Sequence, residues 1–128
     1  MAMNSKNFLM LGGIVLLVVG LAGMVGIIGP TPEQSIFGSL WWFDDAENWA
    51  HLVLGIAGLA VALAVPALQA PVTLLVGVLA LVVGVWGFGM PELLGANLEN
   101  PSDNILHLAV GAWALASWKM GRKSTGVM

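Results

Sequence analysis

The chain has 128 residues, 59% of them hydrophobic and only 9% charged, with a mean hydropathy of +0.93 and a formal net charge of −3. Soluble domains carry about 25% charged residues, so a water-exposed globule cannot hide this much apolar surface, and so small a net charge gives no ground for a nucleic-acid or acidic partner. The absence of cysteine excludes disulfides, thiolate catalysis, Cys-ligated metals and iron–sulfur clusters.

Residues 8–28 are apolar throughout, about the 20 residues that a bilayer-crossing helix requires. One Lys precedes this run, but the run is long for a signal-peptide core and lacks a small-x-small cleavage site. It is therefore expected to stay attached as the first span.

The connection that follows contains "IFGSLWWFDD", with Phe37, Trp41, Trp42 and Phe43 together and Trp49 just beyond. Aromatic side chains gather at membrane interfaces. The expectation is a short helix lying on the outer surface, with Trp41, Trp42 and Trp49 available to a partner or pigment. Glu33, Asp44, Asp45 and Glu47 surround it; they are read as solvated loop acids, with an outer cation site beside His51 as the alternative.

A second span is expected over 46–65 and a third over 72–90, joined by the uncharged loop "PALQAP". Prolines stand at the ends of these runs (Pro30, Pro32, Pro66, Pro71, Pro91), where they break no helix. A fourth span is expected over 105–118. It is short, and it crosses only if Asp103–Asn104 lies at one interface while Lys119 snorkels at the other.

All four basic residues (Lys6, Lys119, Arg122, Lys123) flank the two ends of the chain, and the acids lie in the first and third connections or at their helix junctions. Basic residues favour the cytoplasmic side, so both termini are expected in the cytoplasm.

The chain also repeats itself. "LMLGGIVLLVVGLAG" (9–23) and "TLLVGVLALVVGVWG" (73–87) share seven of fifteen residues at an offset of 64, including Gly13/Gly77, Gly20/Gly84 and Gly23/Gly87. "ENWAHLVLGIAGLA" (47–60) and "DNILHLAVGAWALA" (103–116) share six of fourteen at an offset of 56. The expected fold is an all-α membrane protein, one domain over 1–128. Its four transmembrane helices form two tandem hairpins (8–65 and 72–118) related by an axis near the membrane normal.

Small residues fall on helical faces: Gly13, Gly20 and Gly23 in the first span; Gly77, Ala80, Gly84 and Gly87 in the third. In the second and fourth, Asn48–His51–Gly55 and Asn104–His107–Gly111 repeat Asn-x-x-His-Leu-x-x-Gly. Helices in lipid associate through close approach at such residues, so Gly13, Gly20, Gly55, Gly77, Gly84 and Gly111, with Asn48 and Asn104, are expected to pack the bundle.

His51 and His107 are the only histidines, and three readings of them stand. They latch neighbouring helices; or they serve as axial ligands to haem or a chlorin, or as a metal pair; or they line a proton or small-solute path. Against the last, the inner halves of the spans contain no ionisable residue. No nucleophile–base pair, phosphate loop, CxxC or HExxH is present.

The stretches "LLGANLENPSDNILHLAVGAWALA" and "IFGSLWWFDDAENWAHLVLGIAGLA" resemble the DUF4383 family of small bacterial four-span membrane proteins, from about residue 8 to 118. The shared pattern maps onto Asn48, His51, Gly55, Asn104, His107 and Gly111; the extra acid in "WWFDDAEN" departs from it. The resemblance implies an integral, multi-pass protein of a bacterial inner or internal membrane, without an assigned activity. Together these readings give a non-enzymatic structural or accessory subunit whose partners are lipid and other membrane subunits or a second copy of itself. Haem- or chlorin-binding is the first alternative and a small channel or transporter the second.

Overall fold

The computed structural model describes residues 3–90, 92–93, 95–99 and 101–124. Four helices carry the fold: α1 (Ser5–Met24), α2 (Asp45–Ala64), α3 (Pro66–Gly89) and α4 (Ser102–Ser124). Two 3-10 turns, Pro32–Gln34 and Gly38–Leu40, lie between α1 and α2. An antiparallel pair, β1 (Glu92–Leu93) and β2 (Ala96–Asn97), lies between α3 and α4.

Three helices, α1, α2 and α3, are long and apolar enough to cross a membrane. Four were expected. The fourth, α4, has the length, at 23 residues, but not the composition, because Asp103, Asn104 and His107 open it and Lys119, Arg122 and Lys123 close it. It outruns the expected 105–118 at both ends. Asp103 N–H and Ile105 N–H already bond back to Glu99 and Pro101 carbonyls, and cations in a last turn suit the helix dipole.

The other boundaries differ for local reasons. Helix α1 stops at Met24 rather than running to 28, because Gly26 adopts φ +88° and Ile27 N–H closes on the Ala22 carbonyl. This is a Schellman ending, which favours glycine at that left-handed position. "PALQAP" is not a loop. Pro66 starts α3, where its fixed φ fits and its missing N–H is not needed, and Pro71 lies inside the helix. The Gln69 side chain donates to the Ala62 carbonyl at 2.9 Å, satisfying one of the acceptors that the end of α2 leaves open. The aromatic segment forms a single 3-10 turn, Gly38–Leu40, in place of the expected short helix, and Pro91 lies outside the described residues.

Helices α1 and α2 form one close antiparallel hairpin, and α3 and α4 another. Their seams match residue for residue. A Cβ at Gly13 would meet Leu59 at 2.8 Å and the Gly55 carbonyl at 3.0 Å; at Gly77 it would meet Leu115 at 2.8 Å. Gly20 lies against Leu52 and the Asn48 carbonyl, and Gly84 against Leu108 and the Asn104 carbonyl. Gly55 lies on the Gly13 carbonyl and Gly111 on that of Gly77. Each pair repeats at the offsets of 64 and 56 seen in the sequence.

The hairpins touch one another more sparingly. At one end of the bundle, Phe8 and Trp113 pack edge to face at 4.6 Å, Thr73 Oγ1 donates to the Ser5 carbonyl at 3.4 Å, and Gly121 lies on Asn4. The start of α1 and the end of α4 therefore share that end.

The distribution of side chains is inverted relative to a water-soluble protein. The largest fully buried side chains are Asn48, Asn104, Thr73, Asp103 and Ser117, whereas Val18, Val53, Leu63, Leu79 and Val85 are each more than half exposed. Exposed apolar surface on this scale marks a face that meets lipid or another protein.

Candidate functional site

At the opposite end of the bundle, the two connections and the first turns of α2 and α4 form a polar junction. Its residues come from the repeated phrase and from the loops beside it.

Asn48 and Asn104 have no solvent exposure. Each drives its amide into the preceding helix of its own hairpin: Asn48 Oδ1 occupies the space where a Gly23 side chain would stand, and Asn104 Oδ1 the corresponding space at Gly87. The oxygens have no conventional hydrogen-bond donor among the described residues. They rest against glycine Cα–H groups, the weak contact that recurs at helix–helix interfaces. Asn48 Nδ2 donates to the Phe43 carbonyl at 3.4 Å, while Asn104 Nδ2 has no such partner. The Asn residues thus fasten each hairpin to itself.

The residues that face across the hairpins are the repeat-related acids and histidines. Glu47 is 5% exposed and Asp103 1% exposed; Glu47 stands within electrostatic reach of Asp103, and His51 within electrostatic reach of His107. Glu47 belongs to a capping box in which its backbone N–H donates to Asp44 Oδ1 at 2.9 Å and its Oε1 accepts from Asp44 N–H at 3.3 Å. Both oxygens of Asp103 are also engaged. Oδ1 accepts from Trp41 Nε1–H at 3.0 Å and Oδ2 from Glu99 N–H at 2.8 Å.

Three hydrogen bonds sew the first half to the second here: Trp41 to Asp103, Asn97 N–H to Asp44 Oδ2 at 2.8 Å, and Ser102 Oγ to the Leu40 carbonyl at 2.8 Å. Phe43 and Leu98 are buried beneath them.

The two histidines differ. His107 Nδ1 lies 2.8 Å from the Asp103 carbonyl, one turn back on its own helix; against a carbonyl that nitrogen must carry the hydrogen. His51 instead sets its ring edge-on to Phe43 at 4.9 Å, and its Nδ1 is buried without a partner among the described residues.

Of the three aromatic residues expected at an interface, Trp41 is half-buried and committed to Asp103, Trp42 is half-buried, and Trp49 is 63% exposed on α2. Trp41 also packs on Phe37 at 5.4 Å and on Phe43 at 5.1 Å. A groove of about 360 Å³ runs between Phe37, Leu40 and Trp41 on one side and Ser102, Ile105 and Leu106 on the other. Neither histidine lines it.

His51 is packed on Phe43, and two buried carboxyls occupy the turn in front of the histidines. Among the described residues, no group of three or more His, Cys, Asp or Glu is arranged to hold a metal ion.

The sequence placed Asn48, His51, Asn104 and His107 on matching turns, but it missed Glu47 and Asp103 as buried acids, and Gly23 and Gly87 as sockets. Both signals were present in the aligned repeats, where Glu47 stands over Asp103. No family model, no curated protein and no solved structure matches the chain. The resemblance to the DUF4383 proteins stands on the quoted motifs alone.

Proposed function

We propose that this chain is an integral membrane protein that crosses the bilayer four times as two tandem hairpins, with both termini cytoplasmic and the polar junction on the outer side. It acts as a non-enzymatic structural or accessory subunit that offers its apolar flanks to other membrane helices. The observation that carries this reading is the inverted interior: buried Asn, Thr, Asp and Ser inside, and Val and Leu outside. Lipid or a partner helix is the solvent that such a surface suits. Helix α4 completes the fourth crossing by packing its glycine and alanine face on α3, with Lys119 exposed and Arg122 lying over the Trp118 ring at 4.8 Å at the inner interface.

The chain has no native cysteine, so single cysteines report topology directly. Cysteines at Lys6 and Lys119 should react with an impermeant thiol reagent only from the cytoplasmic side, and those at Glu33 and Asp45 only from the outside. Labelling of Lys6 and Lys119 from opposite sides would remove α4 as a span. Purification in mild detergent tests the role: a stoichiometric membrane partner or self-assembly is expected. A monomer with substrate turnover or solute flux of its own would overturn the accessory reading. The preparation is expected to be colourless, and a Soret band lost on replacing His51 and His107 with Ala would restore the haem alternative.

A further inference from the structure

We infer that the end of the bundle where α1 starts and α4 finishes is a docking surface for the headgroups of anionic phospholipids, anchored on Lys6, Lys119 and Arg122. The inference rests on the membrane-embedded reading above and adds to it a lipid class and a place. Charge is divided between the two ends of the molecule. All seven acids lie in the two long connections or in the first turns of α2 and α4, at the other end. All four cations lie at this end, in the first turn of α1 and the last turns of α4.

Nearly the whole chain separates Lys6 from the other cations, and the fold gathers them. Trp113 Nε1–H donates to the Met3 sulfur at 3.2 Å and the Ser117 hydroxyl to the same sulfur at 3.7 Å. Gly121 lies on Asn4. These contacts fix the lead-in to α1 on the last turns of α4, so cations from both hairpins share one end. Lys6 and Lys119 are exposed, and neither has an acidic partner among the described residues. Arg122 is half-buried and lies over the Trp118 ring at 4.8 Å. Tryptophan settles at headgroup depth in a bilayer, and a guanidinium presents phosphate with a planar fork of donors.

The acids do not neutralise this end. Helix α1, with 20 residues, is about 30 Å long, whereas the Debye length at physiological salt is about 8 Å. Each end therefore acts on its own surroundings. An anionic headgroup layer is attracted to cations beside a span by a factor of about five for each Lys or Arg, and the acidic end repels the same layer.

The test titrates the full chain in a neutral detergent with phosphatidylglycerol or phosphatidylcholine and counts bound lipid by native mass spectrometry. Phosphatidylglycerol should bind at the lower concentration. Lys6→Gln and Lys119→Gln should each weaken its binding about fivefold and leave phosphatidylcholine unaffected. Arg122→Lys keeps the charge without the fork and should lose less. Glu33→Gln and Asp45→Asn, at exposed positions of the far end, shift the net charge by as much as a lysine variant does and should change neither lipid. Inorganic phosphate at the lipid's concentration should not displace phosphatidylglycerol, because it brings no acyl chains to the apolar flanks. Equal binding of the two lipids, an affinity unmoved by both lysine variants, or an equal response to Glu33→Gln overturns the inference. Displacement by phosphate overturns it too, and marks an adventitious anion site only. Should one lysine variant fail to fold, the other decides. Failure of the membrane reading would show in the cysteine labelling instead, since a titration in detergent does not depend on sidedness.

Discussion

Gly23 and Gly87 take no part in a turn and hold no ligand, yet the two buried asparagines depend on them. A methyl group at Gly23 would coincide with the Asn48 amide, and overpacking of that kind costs about 1–3 kcal/mol. Gly23→Ala should lower the unfolding midpoint in detergent, as should Asn48→Ala, which empties the socket. The double variant should lose clearly less than the sum, since the residue that obstructs and the residue obstructed are removed together; strict additivity would contradict the lock. Gly12 and Gly13 supply a neighbouring comparison. A Cβ at Gly12 would meet only the Phe8 ring at 3.9 Å, whereas at Gly13 it would meet Leu59 at 2.8 Å. Gly12→Ala is expected to leave stability unchanged or slightly raised, and Gly13→Ala to lower it.

At the scale of elements, the start of α2 is the most heavily specified boundary. Asp44 accepts from Glu47 N–H through one oxygen and from Asn97 N–H through the other, so it caps α2 and holds the far β-pair together. Asp44→Ala should cost about 1–2 kcal/mol, the sum of a helix cap and one interloop bond. Asp44→Asn keeps a single acceptor oxygen and should lose roughly half of that; equal losses would show that only one of the two bonds matters. The sequence alone reads Asp44 and Glu47 as solvated loop acids, although "DDAEN" carries the capping-box spacing of an acid three residues before a glutamate. The helical state of "PALQAP" was not legible. Prolines near a boundary read as an interruption, and only the position of Gln69 under the Ala62 carbonyl shows how α2 and α3 join with so little chain between them.

At the scale of the molecule, two tight hairpins meet along a lighter boundary that is tied at its two ends. At the end where α1 starts and α4 finishes, the tie is the contact of Phe8 with Trp113, the bond from Thr73 to Ser5 and the approach of Gly121 to Asn4. In lipid the exposed state of Phe8 is already apolar, so Phe8→Ala should cost only the aromatic pairing, about 0.5–1.5 kcal/mol. The loss should show as weaker association of the hairpins rather than as loss of helix content. A change in helical circular dichroism at constant temperature would count against that division.

The amino-acid sequence by itself determined that this is a helical chain with runs long and apolar enough to cross a membrane, that its two halves repeat one pattern, and which glycines and asparagines are equivalent. Composition, helical spacing and alignment are properties of one dimension. What only the tertiary structure decided is which copies meet. A one-dimensional pattern places Asn48 and Gly55 on one face of α2, but the antiparallel register of α1 and α2 selects Gly23 as the socket for Asn48. The docking of one hairpin on the other brings Trp41 to Asp103 and Asn97 to Asp44. Those pairings join positions far apart in the chain, and their geometry comes from helix packing, which no local propensity encodes.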